Sequence, residues 1–119
     1  NQTIEKETIS DLDKGFVSRF KSLVEERMKD AELNVEDLGR NMGMSRVQLY
    51  RKLKSLTNYS PNELLRQMRL KKAASLLASS DMTVAEIAYE VGFSSPSYFT
   101  KCYKEQFGES PTEFLKRRG

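Results

Sequence analysis

Val35-Glu-Asp-Leu-Gly-Arg-Asn-Met-Gly-Met-Ser45 is answered 49 residues later by Val84-Ala-Glu-Ile-Ala-Tyr-Glu-Val-Gly-Phe-Ser94. One residue added in the second turn moves the offset to 50, and the match continues. Leu49 meets Phe99, Leu53 meets Tyr103, Lys54 meets Lys104, Ser60-Pro61 meets Ser110-Pro111, and Glu63 meets Glu113. Each copy offers a short helix with Leu38/Met42 or Ile87/Val91 turned inward. A turn follows, with Gly43 or Gly92 to permit positive φ and Met44 or Phe93 to plug the angle, and then a longer helix. That is the helix-turn-helix pattern. Two copies are too few for a solenoid, so each is a motif in its own right.

Working outward, the three prolines all follow serine: Ser60-Pro61, Ser95-Pro96 and Ser110-Pro111. A serine N-cap accepts from an orphan amide, and proline at the first helical position has no amide to orphan. Glu63, Glu113 and Glu86 stand three residues after Ser60, Ser110 and Thr83, completing capping boxes, and Ser45 with Gln48 marks one more start. β-branched residues never alternate over a run, so no strand is predicted. The fold class is all-α, with seven helices over about 11–30, 35–42, 45–57, 61–79, 84–91, 96–107 and 111–118. Two helix-turn-helix subdomains, 11–60 and 80–119, are joined by a linker helix over 61–79. Residues 1–10 are polar and aperiodic and read as a linker or frayed terminus. Leu12, Phe16, Phe20, Leu23, Val24 and Met28 form the apolar stripe of the first helix. Phe99, Tyr103 and Phe107 are assigned to the core at i, i+4 and i+8. Leu64, Leu65, Met68, Ala73, Leu76 and Leu77 form the packing face of the linker helix.

The 119 residues are 38% hydrophobic and 31% charged, and they contain no histidine and one cysteine. Histidine acid–base catalysis, Ser–His–Asp and Cys–His nucleophiles, disulfides and zinc clusters are thereby excluded. No phosphate-binding Gly-rich loop is present, and Asp81, Glu86 and Glu90 cap or decorate helices. The chain therefore reads as neither an enzyme nor a carrier of a metal or cofactor. No run approaches the ~18 apolar residues of a membrane span, and no membrane contact is expected. Cys102, beside Phe99 and Tyr103, reads as a small core residue suited to a reducing, cytoplasmic setting. The first residue is Asn1, which suggests a piece of a longer chain. The net charge of +3 is unevenly distributed: residues 40–72 carry nine Lys/Arg against the single acid Glu63. Such a concentration is the footprint of a polyanion-binding surface. A helical protein-interaction module meeting an acidic partner is the alternative, but it leaves the matched repeat without a reason.

In the first repeat, inward Leu49 and Leu53 leave Arg46, Val47, Gln48, Tyr50, Arg51 and Lys54 to point away. Residues early in a recognition helix reach base edges, and later cations lie near the backbone. Arg51 is the first choice for a guanine and Gln48 and Arg46 come next, Gln48 able to bond adenine in bidentate fashion. Val47 suits a thymine methyl, while Tyr50 completes the base-reading set. Ser45 and Lys54 are assigned to phosphates. The second repeat is less polar on its reading face: Ser95, Pro96, Ser97, Tyr98, Thr100 and Lys101, with Lys104 further on. Of these, Ser95, Thr100 and Lys104 are assigned to phosphates. Nineteen linker residues at ~1.5 Å rise span about 28 Å, near the ~34 Å between successive major grooves on one face of DNA. Directly repeated, non-palindromic elements in double-stranded DNA follow from two tandem units in one chain.

Gly92 to Pro111 reads G-F-S-S-x-S-Y-F-x-K-x-Y-K-x-x-F-G-x-S-P. With the first repeat, it resembles the DNA-binding domain of AraC/XylS-type transcription regulators over residues 11–118. Gly43 to Leu77 (G-M-S-R-V-Q-L-Y-R-K-L-K-S-L-T-N-Y-S-P-N-E-L-L-R-Q-M-R-L-K-K-A-A-S-L-L) is similar to the C-terminal output domain of Bacteroides-type hybrid two-component regulators. The resemblance implies an activator placed after a histidine kinase and a receiver. It also implies a parent anchored in the inner membrane, dimerisation through parent domains, and RNA polymerase as partner. It puts Ser97, Tyr98 and Lys101 where the family contacts DNA. Family members often carry longer polar residues at positions 96 and 97, so Pro96 and Ser97 shift hydrogen-bonded specificity toward the first repeat.

Overall fold

The structure is a computed structural model that describes residues 11–119; the linker or frayed terminus expected at 1–10 lies outside the described residues. Seven helices and no strands occur among the described residues: α1 (Asp11–Arg27), α2 (Val35–Asn41), α3 (Arg46–Thr57), α4 (Pro61–Ser79), α5 (Val84–Glu90), α6 (Pro96–Phe107) and α7 (Pro111–Arg118). Local chemistry explains most boundaries. Ser45, Ser60, Thr83 and Ser110 each accept from the amide three residues on, and the side chain of that third residue accepts from the cap amide in return. Ser95 accepts from the Tyr98 amide, but Tyr98 cannot return the bond, so α6 has a cap without a box. α2 is capped by Asn34, which accepts from the Asp37 amide at 2.9 Å. α3 and α6 both end in a left-handed residue, Asn58 at φ 67° and Gly108 at φ 80°.

Two clusters of buried side chains form. Phe20, Val24, Leu38, Leu49 and Leu53 centre the first, and α4 adds Leu64 and Leu65. Ile87, Val91, Phe93, Phe99 and Tyr103 centre the second, and α4 adds Leu70, Ala73 and Leu77. One helix thus supplies buried residues to both. Arg118 Nη1 donates to the Leu77 carbonyl at 2.6 Å, fastening α7 to the far end of α4.

The fold corrects four expectations. α1 ends at Arg27 rather than near residue 30: the Asp30 amide bonds the Arg27 carbonyl in a tighter turn, and the Met28 and Asp30 carbonyls accept from Arg69. Leu12 continues the apolar stripe but is 85% exposed, lying beyond the reach of the cluster. Phe107 is 39% exposed rather than core, with its ring 4.6 Å from that of Tyr103 on the outer edge of the second cluster. Leu70, absent from the expected packing face of α4, is buried at its centre.

The capping boxes carry a pH signature. Glu63, Glu86 and Glu113 each have a carboxyl pKa below the ordinary glutamate value, first because the cap residue's amide donates to the carboxylate and then because its hydroxyl does so. A carboxylate depressed in the folded state adds stability above its unfolded pKa and loses it as pH falls through the lower folded value. Melting temperature should therefore fall as pH drops below about 4.3, the ordinary glutamate value. Replacing all three with Gln, the residue that closes the box at Ser45, should flatten that part of the pH profile. An unchanged slope in the triple variant would assign the acid sensitivity to other groups.

Candidate nucleic-acid interface

Fully buried Leu49 and Leu53 define the inward side of α3. At about 100° per residue, Val47, Arg51 and Lys54 lie roughly 140–200° from Leu49, opposite the core. All three are exposed, Val47 to 58%. Arg46 and Tyr50, both exposed, occupy one flank, and Arg46 lines a groove with Asn34, Glu36 and Asn62. Gln48 occupies the other flank, and its Oε1 already accepts from the Ser45 amide at 2.8 Å. Bidentate adenine readout uses the amide oxygen and the amide NH2 together. The cap takes one of the two lone pairs of Oε1 and holds the amide against the start of α3, leaving one lone pair and both NH2 donors. The Ser45 hydroxyl accepts from the Gln48 amide at 3.2 Å and keeps its proton to donate. Lys52 turns back toward α1, with Nζ 3.8 Å from Asp13 Oδ1 and 4.7 Å from the Phe16 ring centroid.

α6 repeats this plan one motif later. Phe99, fully buried, points inward, and Ser97, Lys101 and Lys104 take the places of Val47, Arg51 and Lys54, all exposed. Thr100 and Ser95 are half-buried, and the Ser95 hydroxyl accepts from the Tyr98 amide at 3.3 Å. Tyr98 departs from the outward stripe. Its ring lies 5.9 Å from that of Phe93, and a hydrogen bond with the Cys102 thiol raises its phenol above the ordinary value, with Arg66 opposing. Tyr98 thus lines a cleft between the two repeats while remaining 51% exposed. That cleft, about 410 Å³, is lined by Asn62, Arg66, Arg69, Gly92, Phe93 and Tyr98 among others.

Asn62 and Arg66 occupy adjacent turns of α4 and line grooves beside the two long motif helices. Arg66 is one of four linker-helix cations, with Arg69, Lys71 and Lys72, that the sequence offers to DNA but reads mostly as exposed surface, and Asn62 was not singled out. The signal was present: both are polar, four residues apart, and so share a face. Arg46 and Arg66 border the grooves that Asn62 lines, and Arg51, Lys101 and Lys104 on the outward sides of α3 and α6 are exposed. The molecule measures 46 × 35 × 20 Å, and its long dimension exceeds the ~34 Å between successive major grooves.

The family model described as a helix-turn-helix domain matches residues 38–117, two-thirds or more of the described chain and both repeats. The chain belongs to the AraC-type helix-turn-helix family of DNA-binding transcription regulators. It is 37% identical over 110 residues to the histidine kinase P4 of Formosa agariphila, covering 92% of this chain and 8% of that one. The chain thus spans less than a tenth of that relative, and the kinase of the name describes a far longer protein. Among solved structures, the C-terminal domain of AraT, a response regulator from Geobacillus stearothermophilus, is similar at TM-score 0.81 and 28% identity, covering 93% of this chain and 88% of that one. The DNA-binding domain of AdpA, a global transcriptional factor in complex with a target DNA, is similar at TM-score 0.79 and 30% identity, covering 84% and 89%. As an AraC-type domain, the chain is a DNA-binding regulator module rather than an enzyme. No helix among the described residues is long and apolar enough to cross a membrane.

Proposed function

We propose that this AraC-type domain reads two directly repeated elements of double-stranded DNA, with α3 in one major groove and α6 in the next. The observation that carries the reading is the matched outward stripe on the two helices: Val47, Arg51 and Lys54 on α3, and Ser97, Lys101 and Lys104 on α6. The likeness to a domain crystallised on its target DNA supports it. Within the stripes, Val47 and Arg51 are the base readers of the first element, assisted by Arg46, Tyr50 and the NH2 of Gln48. Ser97 and Lys101 serve the second, and Tyr98 acts from the cleft side. Ser45, Lys54, Ser95, Thr100 and Lys104 hold phosphates. The domain is the effector end of a two-component regulator working in the cytoplasm, with RNA polymerase as its downstream partner and dimerisation left to other domains of the parent. The likenesses to a response-regulator C-terminal domain and to a stretch of a histidine kinase support that placement.

Selection of bound sequences from a random duplex pool tests the geometry. Two directly repeated half-sites about one helical turn apart are expected, and a single palindrome bound by a two-fold dimer would overturn the proposal. Affinity should also fall steeply with salt despite the modest net charge. If roughly four to seven phosphates are neutralised, log K against log[salt] should slope by about −4 to −6. A slope shallower than about −2 would turn the basic stretch away from DNA.

A further inference from the structure

Besides their shared helix, the two repeats meet at the end of α1. Beyond that end, the Asp30 carbonyl accepts from the Leu33 amide at 3.1 Å, and the Met28 carbonyl lies past the helical ladder. Arg69, in the middle of α4, takes both: Nε donates to the Met28 carbonyl at 3.2 Å, and Nη2 donates to the Asp30 carbonyl at 2.8 Å. The guanidinium is half-buried; burial pulls its pKa down, and Asp30 opposes the shift. A cation at this place also suits the negative end of the α1 dipole. The second repeat reaches the same carbonyl. A Cβ on Gly92 would stand 1.9 Å from the Met28 oxygen and 2.7 Å from Arg69 Nε, so the α5–α6 turn lies directly against the junction. Alongside, Lys29 Nζ lies 3.1 Å from Glu90 Oε1.

Sequence-distant parts of three segments therefore converge: residues 28–30 of the first repeat, Arg69 of α4, and residues 90–92 of the second. α4 packs into the first cluster through Leu64 and Leu65 and into the second through Leu70, Ala73 and Leu77, so Arg69 stands at the changeover. Two bodies joined only along one helix keep its freedom to bend, and long helices do bend. Arg69 at the changeover ties α4 back to residues 28–30 of the first repeat, and Gly92 of the second repeat packs against the same Met28 carbonyl and the guanidinium, so a bend of α4 there would have to break these contacts. The Lys29–Glu90 pair is exposed on both sides, at 73% and 43%, and adds little. Arg69 makes two charge-assisted bonds from a half-buried position, so the constraint resides there.

We propose that Arg69 is a positioning residue that sets the spacing between the two DNA elements by locking the orientation of α3 relative to α6. The inference rests on the reading that both helices enter DNA. One added base pair turns the second element by about 34–36° and moves it about 3.4 Å, a displacement that a locked pair of helices cannot follow. Arg69→Met keeps the aliphatic stem and removes every donor.

Affinity would be measured for wild type and Arg69→Met on the selected site and on versions with one base pair added or removed between the elements. Wild type should lose about 10-fold or more on either altered site, comparable to a mismatched base pair. Arg69→Met should bind the parent site more weakly and lose less than wild type when the spacing changes. In the free protein, backbone residual dipolar couplings from α1–α3 and α5–α7 should fit one alignment tensor for wild type and two for the variant. If Arg69→Met does not fold, Arg69→Lys serves, since one ammonium cannot reproduce the fork that spans both carbonyls. A variant with the wild-type spacing penalty and a single tensor overturns the proposal. A wild type without sequence preference would overturn the DNA reading instead, and the dipolar couplings would still decide whether Arg69 locks the two repeats.

Discussion

Alanine at Gly92 should cost far more stability than alanine at Gly43, although the two glycines hold the same place in the repeat. Both adopt positive φ, +70° at Gly43 and +99° at Gly92, which an L side chain enters at a cost of about 1–2 kcal/mol. At Gly43 the strain is the whole effect, because an added Cβ has nothing within 4 Å. At Gly92 the Cβ would fall 1.9 Å from the Met28 carbonyl oxygen, a backbone atom that cannot rotate away. Overpacking of that kind adds about 1–3 kcal/mol, and relieving it means parting the second repeat from the end of α1. Denaturant unfolding should show Gly43→Ala losing about 1–2 kcal/mol and Gly92→Ala losing roughly 2–5 kcal/mol, with a broadened or two-step transition if the repeats part first. Equal losses at the two positions would mean that the junction is looser than its geometry indicates.

The same comparison shows what a sequence can and cannot disclose about this domain. Caps and turns are local: Ser60, Thr83 and Ser110 bond within three residues, so the helix starts were legible from residue type and spacing alone. The reading face was legible by subtraction, because burying Leu49 and Leu53 fixes where Val47 and Arg51 point. The end of α1 was not legible, since Met28 stands at helical spacing and the group that claims its carbonyl, Arg69, is 41 residues away. Arg69 itself sat among cations of α4 that read alike, and only packing separates it from exposed Arg66, Lys71 and Lys72. Gln48 carried two signals at once, a box partner for Ser45 and a reader of adenine. The cap, which forms within the chain, takes one lone pair of the amide oxygen and fixes the side chain at the start of α3. Tyr98 was placed at a family contact position, yet Phe93 and Cys102 draw it toward the cleft. Leu12 and Phe107 show the limit of periodicity, which continues past the edge of a cluster without any sign in the sequence.

Arg51 and Lys54 should give opposite signatures when removed, although both are exposed cations on one stripe of α3. They lie about 60° apart around the axis, and Arg51 is one turn nearer the N-terminal end that enters the groove. Its planar fork matches the two acceptors of guanine, whereas the ammonium of Lys54 is a point charge suited to phosphate. Arg51→Ala should cost about 1–3 kcal/mol in binding and flatten the preference at one base pair of the first element. Folding should survive, because Leu49 and Leu53 hold the opposite face of the helix and the Ser45–Gln48 box holds its start. Lys54→Ala should weaken every sequence nearly equally and reduce the salt slope by about one unit. The second repeat supplies an internal control: Lys101 holds the place of Arg51 as a reader but lacks the fork, so Lys101→Ala should flatten preference at one base pair of the second element by less than Arg51→Ala does in the first. Binding to the selected site and its single-base variants, at three salt concentrations, separates these outcomes. If Lys54→Ala changed base preference while Arg51→Ala lowered affinity uniformly, α3 would enter the groove rotated by about 60° from the orientation argued here, with Lys54 toward the bases and Arg51 toward the backbone.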